Sequence, residues 1–109
     1  MVGVANKQLE AIRSGDIKSA YSYTSSEFQK KIPLDKFEQL IGVYPALKQN
    51  KSASFTQRNI DYNSGEIAGS ITTVNGETVP IEFNFIKENG EWKVTYITVF
   101  EKIENGSAD

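Results

Sequence analysis

The chain has 109 residues, of which 39% are hydrophobic and 24% are charged, which is enough for one globular domain with its own core. Its formal net charge is −2, and it lacks the basic stripe that nucleic-acid-binding proteins present. Cysteine and histidine are absent, which excludes disulfides, Ser–His and Cys–His nucleophiles and histidine-ligated metals, so acid–base chemistry would fall to Asp, Glu, Lys or Tyr.

The N-terminus leads almost directly from Met1 into an amphipathic pattern, and no apolar run approaches the roughly 20 residues of a membrane span. We interpret the chain as trimmed at its N-terminus, in which case a secretion signal or anchor could have been removed with the missing segment. The expected compartment is therefore cytoplasmic or, if such a segment was removed, periplasmic or extracytoplasmic.

Helical signals fill the first half of the chain. Residues 4–14 carry apolar side chains on one helical face, and Gly15 suits the left-handed position that ends a helix. Asp16 suits the N-cap of a second helix over residues 17–24.

A capping-box pattern at residues 24–27 predicts a short helical turn that carries Phe28 inward. Pro33 begins a further helix over residues 33–43 with an apolar stripe, and Pro45 predicts that this helix stops near Tyr44. Residues 46–51 are expected to form a loop or a last frayed turn.

The second half of the chain has the two-residue period of β-strands. Four β-rich stretches cover residues 54–62, 67–74, 79–86 and 92–100. Short turns at residues 63–65, Asn75-Gly76 and Asn89-Gly90 join them, which predicts an antiparallel meander. The polar tail over residues 104–109 is expected to be frayed.

The Asn89-Gly90 turn also predicts a register for the last hairpin, because a two-residue type I′ turn fixes which residues face each other. The predicted pairs are Phe85 with Val94, Phe83 with Tyr96, and Val79 with Phe100. These apolar side chains fall on one side of the sheet. We therefore predict an α+β domain in which the N-terminal helices pack on one face of a four-stranded antiparallel meander.

The outer face of this sheet is the predicted interaction surface. The register places Ile86, Ile97 and Val99 on it. A two-residue turn at Asn75-Gly76 would add Ile67 and Ile71 to that face, whereas a bulged turn would send both isoleucines into the core. We favour the first arrangement, which predicts a homodimer that forms through the sheet face.

The order of elements also resembles a known family. The residues that carry the resemblance are the segment 9–16, Ala20-Tyr21, Thr24-Ser25, Phe28, Pro33, Phe37 and the segment 89–94. Over about residues 4–103 the chain resembles the nuclear transport factor 2-like (cystatin-like) superfamily, and within it the small bacterial domains of unknown function. The resemblance implies one domain over residues 1–109, with a curved sheet wrapped around a long helix and a cone-shaped cavity between them.

Members of that superfamily include isomerases, dehydratases, limonene-epoxide-type hydrolases, transport factors and accessory domains, and the catalytic members place Asp, Tyr, His or Arg in the cavity. Here the cavity-facing positions of the predicted strands are almost wholly apolar. The expected cavity lining is Tyr21, Phe37, Phe83, Phe85 and Tyr96. We expect no catalytic residue, no metal and no cofactor.

The sequence leaves three functions open. The first is a non-catalytic accessory or binding domain that acts through its sheet face or a small apolar cavity, with a small apolar ligand or a protein as its partner. The second is an isomerase or dehydratase-type enzyme that uses a cavity tyrosine, such as Tyr21 or Tyr23, and a carboxylate. The third is an extracytoplasmic domain of a membrane-associated assembly whose anchor has been removed.

Overall fold

A computed structural model describes residues 1–101 as five helices followed by one four-stranded sheet. The helices are α1 (Val2–Arg13), α2 (Ile17–Ser22), α3 (Ser26–Lys31), α4 (Leu34–Val43) and α5 (Pro45–Lys48). The strands are β1 (Asn50–Asp61), β2 (Ser64–Thr73), β3 (Thr78–Glu88) and β4 (Glu91–Val99), hydrogen-bonded in that order as an antiparallel meander. The predicted α+β class and strand order are confirmed. The predictions for residues 102–109 lie outside the described residues.

The helix ends follow the local signals in the sequence. Gly15 has φ +83° between α1 and α2. The Asp16 carboxylate accepts hydrogen bonds from the Ser19 hydroxyl (2.7 Å) and the Ser19 N–H (3.2 Å), and these bonds hold the pKa of Asp16 below its ordinary value of 3.8. The N-cap of α3 is Ser25, one residue after the predicted Thr24, and its hydroxyl accepts from the Phe28 N–H at 3.1 Å.

The core lies between α1, α4 and the inner face of the sheet. The alternating residues of β3 are all buried, as predicted: Val79, Ile81, Phe83 and Phe85. Asn50 joins three elements at one end of this core, because its amide nitrogen donates to Leu9 O at 3.0 Å and Leu47 O at 2.6 Å.

The turn between β2 and β3 determines which face β2 presents to the core. Gly76 N–H donates to Thr73 O, and Thr73 N–H donates to Glu77 O, both at 2.9 Å. Gly76 has φ +86°, so the loop has three residues and a bulge at its glycine. Ile67 and Ile71 are therefore buried in the core. The two-residue turn and the outward isoleucines are wrong, and the bulged alternative is correct.

The hairpin between β3 and β4 begins in the predicted register. Asn89 and Gly90 have φ +52° and +81°, and Phe85 pairs with Val94. The register then shifts, because Asn84 pairs with Tyr96 and leaves Thr95 as an extra residue in β4. This β-bulge reverses the orientation of every later side chain in the strand.

Four predicted placements on β4 are consequently wrong. Phe83 pairs with Ile97 instead of Tyr96. Phe100 does not face Val79, because its N–H donates to Pro80 O. Ile97 and Val99 face the core instead of the outer surface, whereas Tyr96 and Phe100 are 61% and 54% exposed.

A second irregularity bends β1 around the core. Its pairing with β2 shifts between Phe55 and Gln57, opposite Gly69. A Cβ on Gly69 would lie 1.9 Å from Ser54 O and 2.6 Å from Phe55 Cα, and both atoms belong to the backbone. The close approach of the two strands at this bulge therefore requires glycine.

Candidate functional site

An apolar cavity lies where the helices meet the edge of the sheet. It is a cavity of about 390 Å³ that opens to solvent between α3, α4 and β4. Its apolar and aromatic wall on the helix side consists of Phe28, Ile32, Phe37, Leu40, Ile41, Tyr44 and Leu47. On the sheet side it consists of Thr95, Tyr96, Ile97 and Val99.

The amphipathic pattern of α4 produces the helical wall. Phe37 and Ile41 are one turn apart and buried, and they form the floor of the cavity. Leu40 lies on the same stripe but is 44% exposed, so it stands at the mouth. Pro45 ends α4 after Tyr44 and begins α5, which brings Leu47 to the far end of the same wall.

The sheet wall depends on the bulge at Thr95. Because the bulge turns Ile97 and Val99 inward, their side chains complete an apolar surface against α4 and α5. In the predicted register this wall would have carried Tyr96 instead. Tyr96 still borders the cavity, but from an exposed position at the rim.

Three polar lining residues near α3 are either at the mouth of the cavity or already paired. Glu27 and Lys31 are its charged lining residues, and both are exposed on α3. The Ser25 hydroxyl is engaged in capping α3. Across residues 1–101, the buried polar side chains are all neutral: Gln8, Thr24, Ser25, Asn50 and Thr73.

Tyr21 lies behind the cavity and does not line it. Its ring packs against Phe37 with 5.3 Å between centroids, and its hydroxyl donates to Ile32 O at 2.6 Å. Gln29 supports this arrangement, because its side-chain amide donates to Tyr21 O at 3.0 Å. The hydroxyl therefore connects α2 to the end of α3.

Of the other four predicted lining residues, two border the cavity and two do not. Phe37 lines the cavity, and Tyr96 reaches its rim. Phe83 and Phe85 lie in the main core, where their rings stack at 6.1 Å between centroids. Ile32, Leu40, Ile41, Tyr44 and Leu47 were not predicted as lining residues. For Leu40, Ile41 and Tyr44, the available signal was the apolar stripe that continues through α4 to Pro45.

Residues 1–101 bring no three potential metal-ligating side chains together. None of the helices described is both long enough and apolar enough to cross a bilayer.

The predicted interface residue Ile86 is half-buried on the outer face, where it pairs with Ser64 of β2 and Lys93 of β4.

Similar folds occur among solved bacterial structures. A protein from Campylobacter jejuni, provisionally described as an NTF2-like transpeptidase, is 22% identical, with a TM-score of 0.64 over 84% of this chain and 94% of that one. An NTF-2-like protein of unknown function from Shewanella oneidensis is 13% identical, with a TM-score of 0.64 over 90% and 93%. A DUF4783 family protein from Bacteroides uniformis is 11% identical, with a TM-score of 0.58 over 91% and 97%.

The TM-scores establish the fold, and identities this low establish no specific activity. No curated protein gives a match. A family profile described as a domain of unknown function, DUF4864, matches residues 1–106. The chain therefore belongs to the DUF4864 family, and its fold is that of the nuclear transport factor 2-like proteins.

Proposed function

We propose that this domain is a non-catalytic binding module that holds a small apolar molecule in the cavity between α3, α4, α5 and β4. The observation that carries the proposal is the apolar wall formed by residues such as Phe37, Ile41 and Ile97 around about 390 Å³ of space. Ligand sites in proteins typically have volumes of roughly 300–1,000 Å³ and mostly apolar linings.

The chemistry of the cavity supports binding over catalysis. General acid–base catalysis needs an ionisable group that touches the substrate and whose pKa is tuned by its surroundings. Glu27 and Lys31 are exposed at the mouth, where water surrounds them. An isomerase or dehydratase-type role for Tyr21 loses its support, because Tyr21 does not line the cavity and its hydroxyl is already bonded to the Ile32 carbonyl.

The ligand that this wall would accept has an apolar body and few hydrogen-bonding groups. An unpaired polar group would be costly against Ile41, Leu47 and Val99, since these side chains offer it no partner. Polar atoms of the ligand would be tolerated at the mouth, near Lys31 and the Thr95 hydroxyl.

A fluorescence titration with the neutral probe N-phenyl-1-naphthylamine tests the proposal. Saturable binding with one site is expected. Leu40→Trp, which places an indole in the mouth, should weaken binding by roughly tenfold or more, because it occupies the volume the probe needs. Val43→Trp is the matched control, because Val43 is similarly exposed at 50%, lies on the same helix and does not line the cavity.

Two results would contradict the proposal. One is an absence of saturable binding by the unsubstituted chain. The other is an equal effect of the two tryptophan substitutions, which would place the probe elsewhere on the surface.

A homodimer through the sheet face remains a prediction, and the apolar area that motivated it is smaller than expected. Of its proposed apolar residues, Ile86 lies on the outer face, whereas Ile67, Ile71, Ile97 and Val99 face inward. The outer face is otherwise rich in small polar side chains from β2, such as Ser70 and Thr72.

A further inference from the structure

The two edges of the sheet differ in how well they resist pairing with another strand. β1 forms one edge and carries two register shifts, together with the exposed charges of Lys51 and Arg58. Bulges and charges of this kind protect an edge from pairing. β4 forms the other edge, and its last five residues together with the following Phe100 have the uncharged sequence TYITVF, in which every residue favours the β conformation.

The first part of the β4 edge is already covered by the chain itself. Ser25 N–H donates to Val94 O at 2.9 Å, and Val94 N–H donates to Tyr23 O at 2.8 Å. These two bonds form a short bridge in which the segment before α3 runs parallel to β4. The edge of β4 therefore accepts an added strand at Val94.

Beyond Val94 the edge is open within the described residues. Phe100 N–H donates to Pro80 O, so the backbone groups of Phe100 face β3. Backbone groups alternate along an antiparallel strand, and those of Ile97 and Val99 therefore point away from β3. Across residues 1–101 neither of these two residues makes a backbone hydrogen bond outside the sheet.

We propose that a second copy of this chain covers this edge, with the two β4 strands antiparallel about a twofold axis at Thr98. In this register Ile97 exchanges backbone hydrogen bonds with the partner's Val99, and Val99 exchanges them with the partner's Ile97. The edge then gains four backbone hydrogen bonds, two from each of the two symmetric pairs, by the geometry of an antiparallel ladder.

The side chains match in the same register. Tyr96 stands opposite the partner's Phe100 on the outer face, and the reverse pair is formed by symmetry. Thr98 stands between these pairs, opposite the partner's Thr98. Aromatic pairs and Thr–Thr pairs are favourable cross-strand neighbours, and no charged side chain opposes another from Tyr96 to Phe100. Pairing also covers Tyr96 and Phe100, which are more than half exposed.

The pairing would also complete the wall of the cavity. Ile97 and Val99 line it from the inner face of β4. The partner's Val99 and Ile97, opposite them, would extend this wall across its open side. The pairing itself is independent of what the cavity binds, because it depends on backbone groups and on the outer face.

Sedimentation velocity over a range of chain concentrations tests the proposal. The expected result is a reversible dimer with a dissociation constant in roughly the micromolar range, since edge pairing makes a small interface. Thr98→Lys sets two ammonium groups against each other on the twofold axis, and this should raise the dissociation constant on the order of tenfold or more.

Thr72→Lys is the matched control. Thr72 is half-buried on the outer face like Thr98, but it lies on β2, away from the edge. This variant should dimerise like the unsubstituted chain. A mixture of Thr98→Lys with Thr98→Glu should restore the dimer, because opposite charges then meet on the axis, and circular dichroism of each variant establishes that it is folded.

Several outcomes would overturn the proposal. A dimer that persists in Thr98→Lys and is lost in Thr72→Lys would form through the sheet face. A monomer with Ile97 and Val99 amides protected from hydrogen exchange would have another segment of its own chain on the edge. A monomer in which both amides exchange freely would leave the edge to a different protein.

Discussion

Gly69→Ala tests whether the bulge in β1 determines how closely β1 and β2 approach. The added Cβ would lie 1.9 Å from Ser54 O and 2.6 Å from Phe55 Cα, whereas ordinary van der Waals contact begins at 3.4 Å. Both atoms are backbone, so no change of rotamer relieves the clash. β1 must move by more than an ångström or lose its pairing with β2.

The expected loss of stability is about 3 kcal/mol, at the upper end of the range for overpacking, because a strand rather than a side chain has to move. For a domain of this size, that loss lowers the melting temperature by roughly 12 °C or more. Urea denaturation followed by the fluorescence of Trp92, the single tryptophan of the chain, measures the change. Trp92 is half-buried against Phe85, so its emission reports the integrity of the sheet.

Gly42→Ala is the control for this measurement. Gly42 lies within α4, and a Cβ there would have no neighbour within 4 Å. Alanine is the better helix former, so this variant should gain about 0.5–1 kcal/mol. A Gly69→Ala variant as stable as the unsubstituted chain, or stabilised like Gly42→Ala, would refute the close approach of β1 and β2.

Three further substitutions have definite expected outcomes. Phe83→Ala should cost about 3–5 kcal/mol in urea denaturation, against little change for the exposed Val74→Ala, and a loss below about 1 kcal/mol would show that the Phe83 ring is not in the core. Asp16→Ala should destabilise the chain at neutral pH, because the lowered Asp16 pKa reflects hydrogen bonds from Ser19 to the charged carboxylate. This contribution to stability is full above the ordinary pKa of 3.8 and is lost as pH falls through the lower folded-state pKa. A stability difference between the two chains that stays constant across that pH range in denaturation curves would contradict it. Tyr62→Gly should stabilise the chain by about 1 kcal/mol, since Tyr62 is 95% exposed in a turn at φ +37°, and a lower melting temperature would argue against that turn conformation.

The parts of the fold that depend on local chemistry could be predicted from the sequence. Alternation identified the buried face of β3 through Phe83 and Phe85, and Asp16 marked the start of α2. Each of these signals acts over a few residues, so the rest of the chain has little influence on it.

The faces of β2 and of the second half of β4 could not be predicted in the same way. Asn75-Gly76 and Asn89-Gly90 are the same dipeptide, yet only the second has positive φ at both residues. A type I turn with a glycine bulge and a two-residue type I′ turn both accept this pair, and they differ by one residue in phase. The bulge at Thr95 carries no glycine or proline to mark it.

The cavity was harder to predict than the core for a related reason. Periodicity identifies which face of an element is buried, and Phe37, Phe83 and Phe85 were rightly assigned to buried faces. It does not identify which end of that face remains unfilled. That depends on where α4 stops above the sheet, near Tyr44, which is a property of the tertiary arrangement.

The extra residue at Thr95 determines which side chains of β4 reach the cavity. If Thr95 paired regularly with Asn84 instead of bulging, every later residue of β4 would change face, and Tyr96 and Thr98 would turn toward α4 in place of Ile97 and Val99. A hydrocarbon wall would then acquire a phenol and a hydroxyl without any substitution in the helices. The bulge therefore keeps the hydrogen-bonding side chains of β4 out of the cavity, and the face that each later residue takes depends on how this one residue pairs.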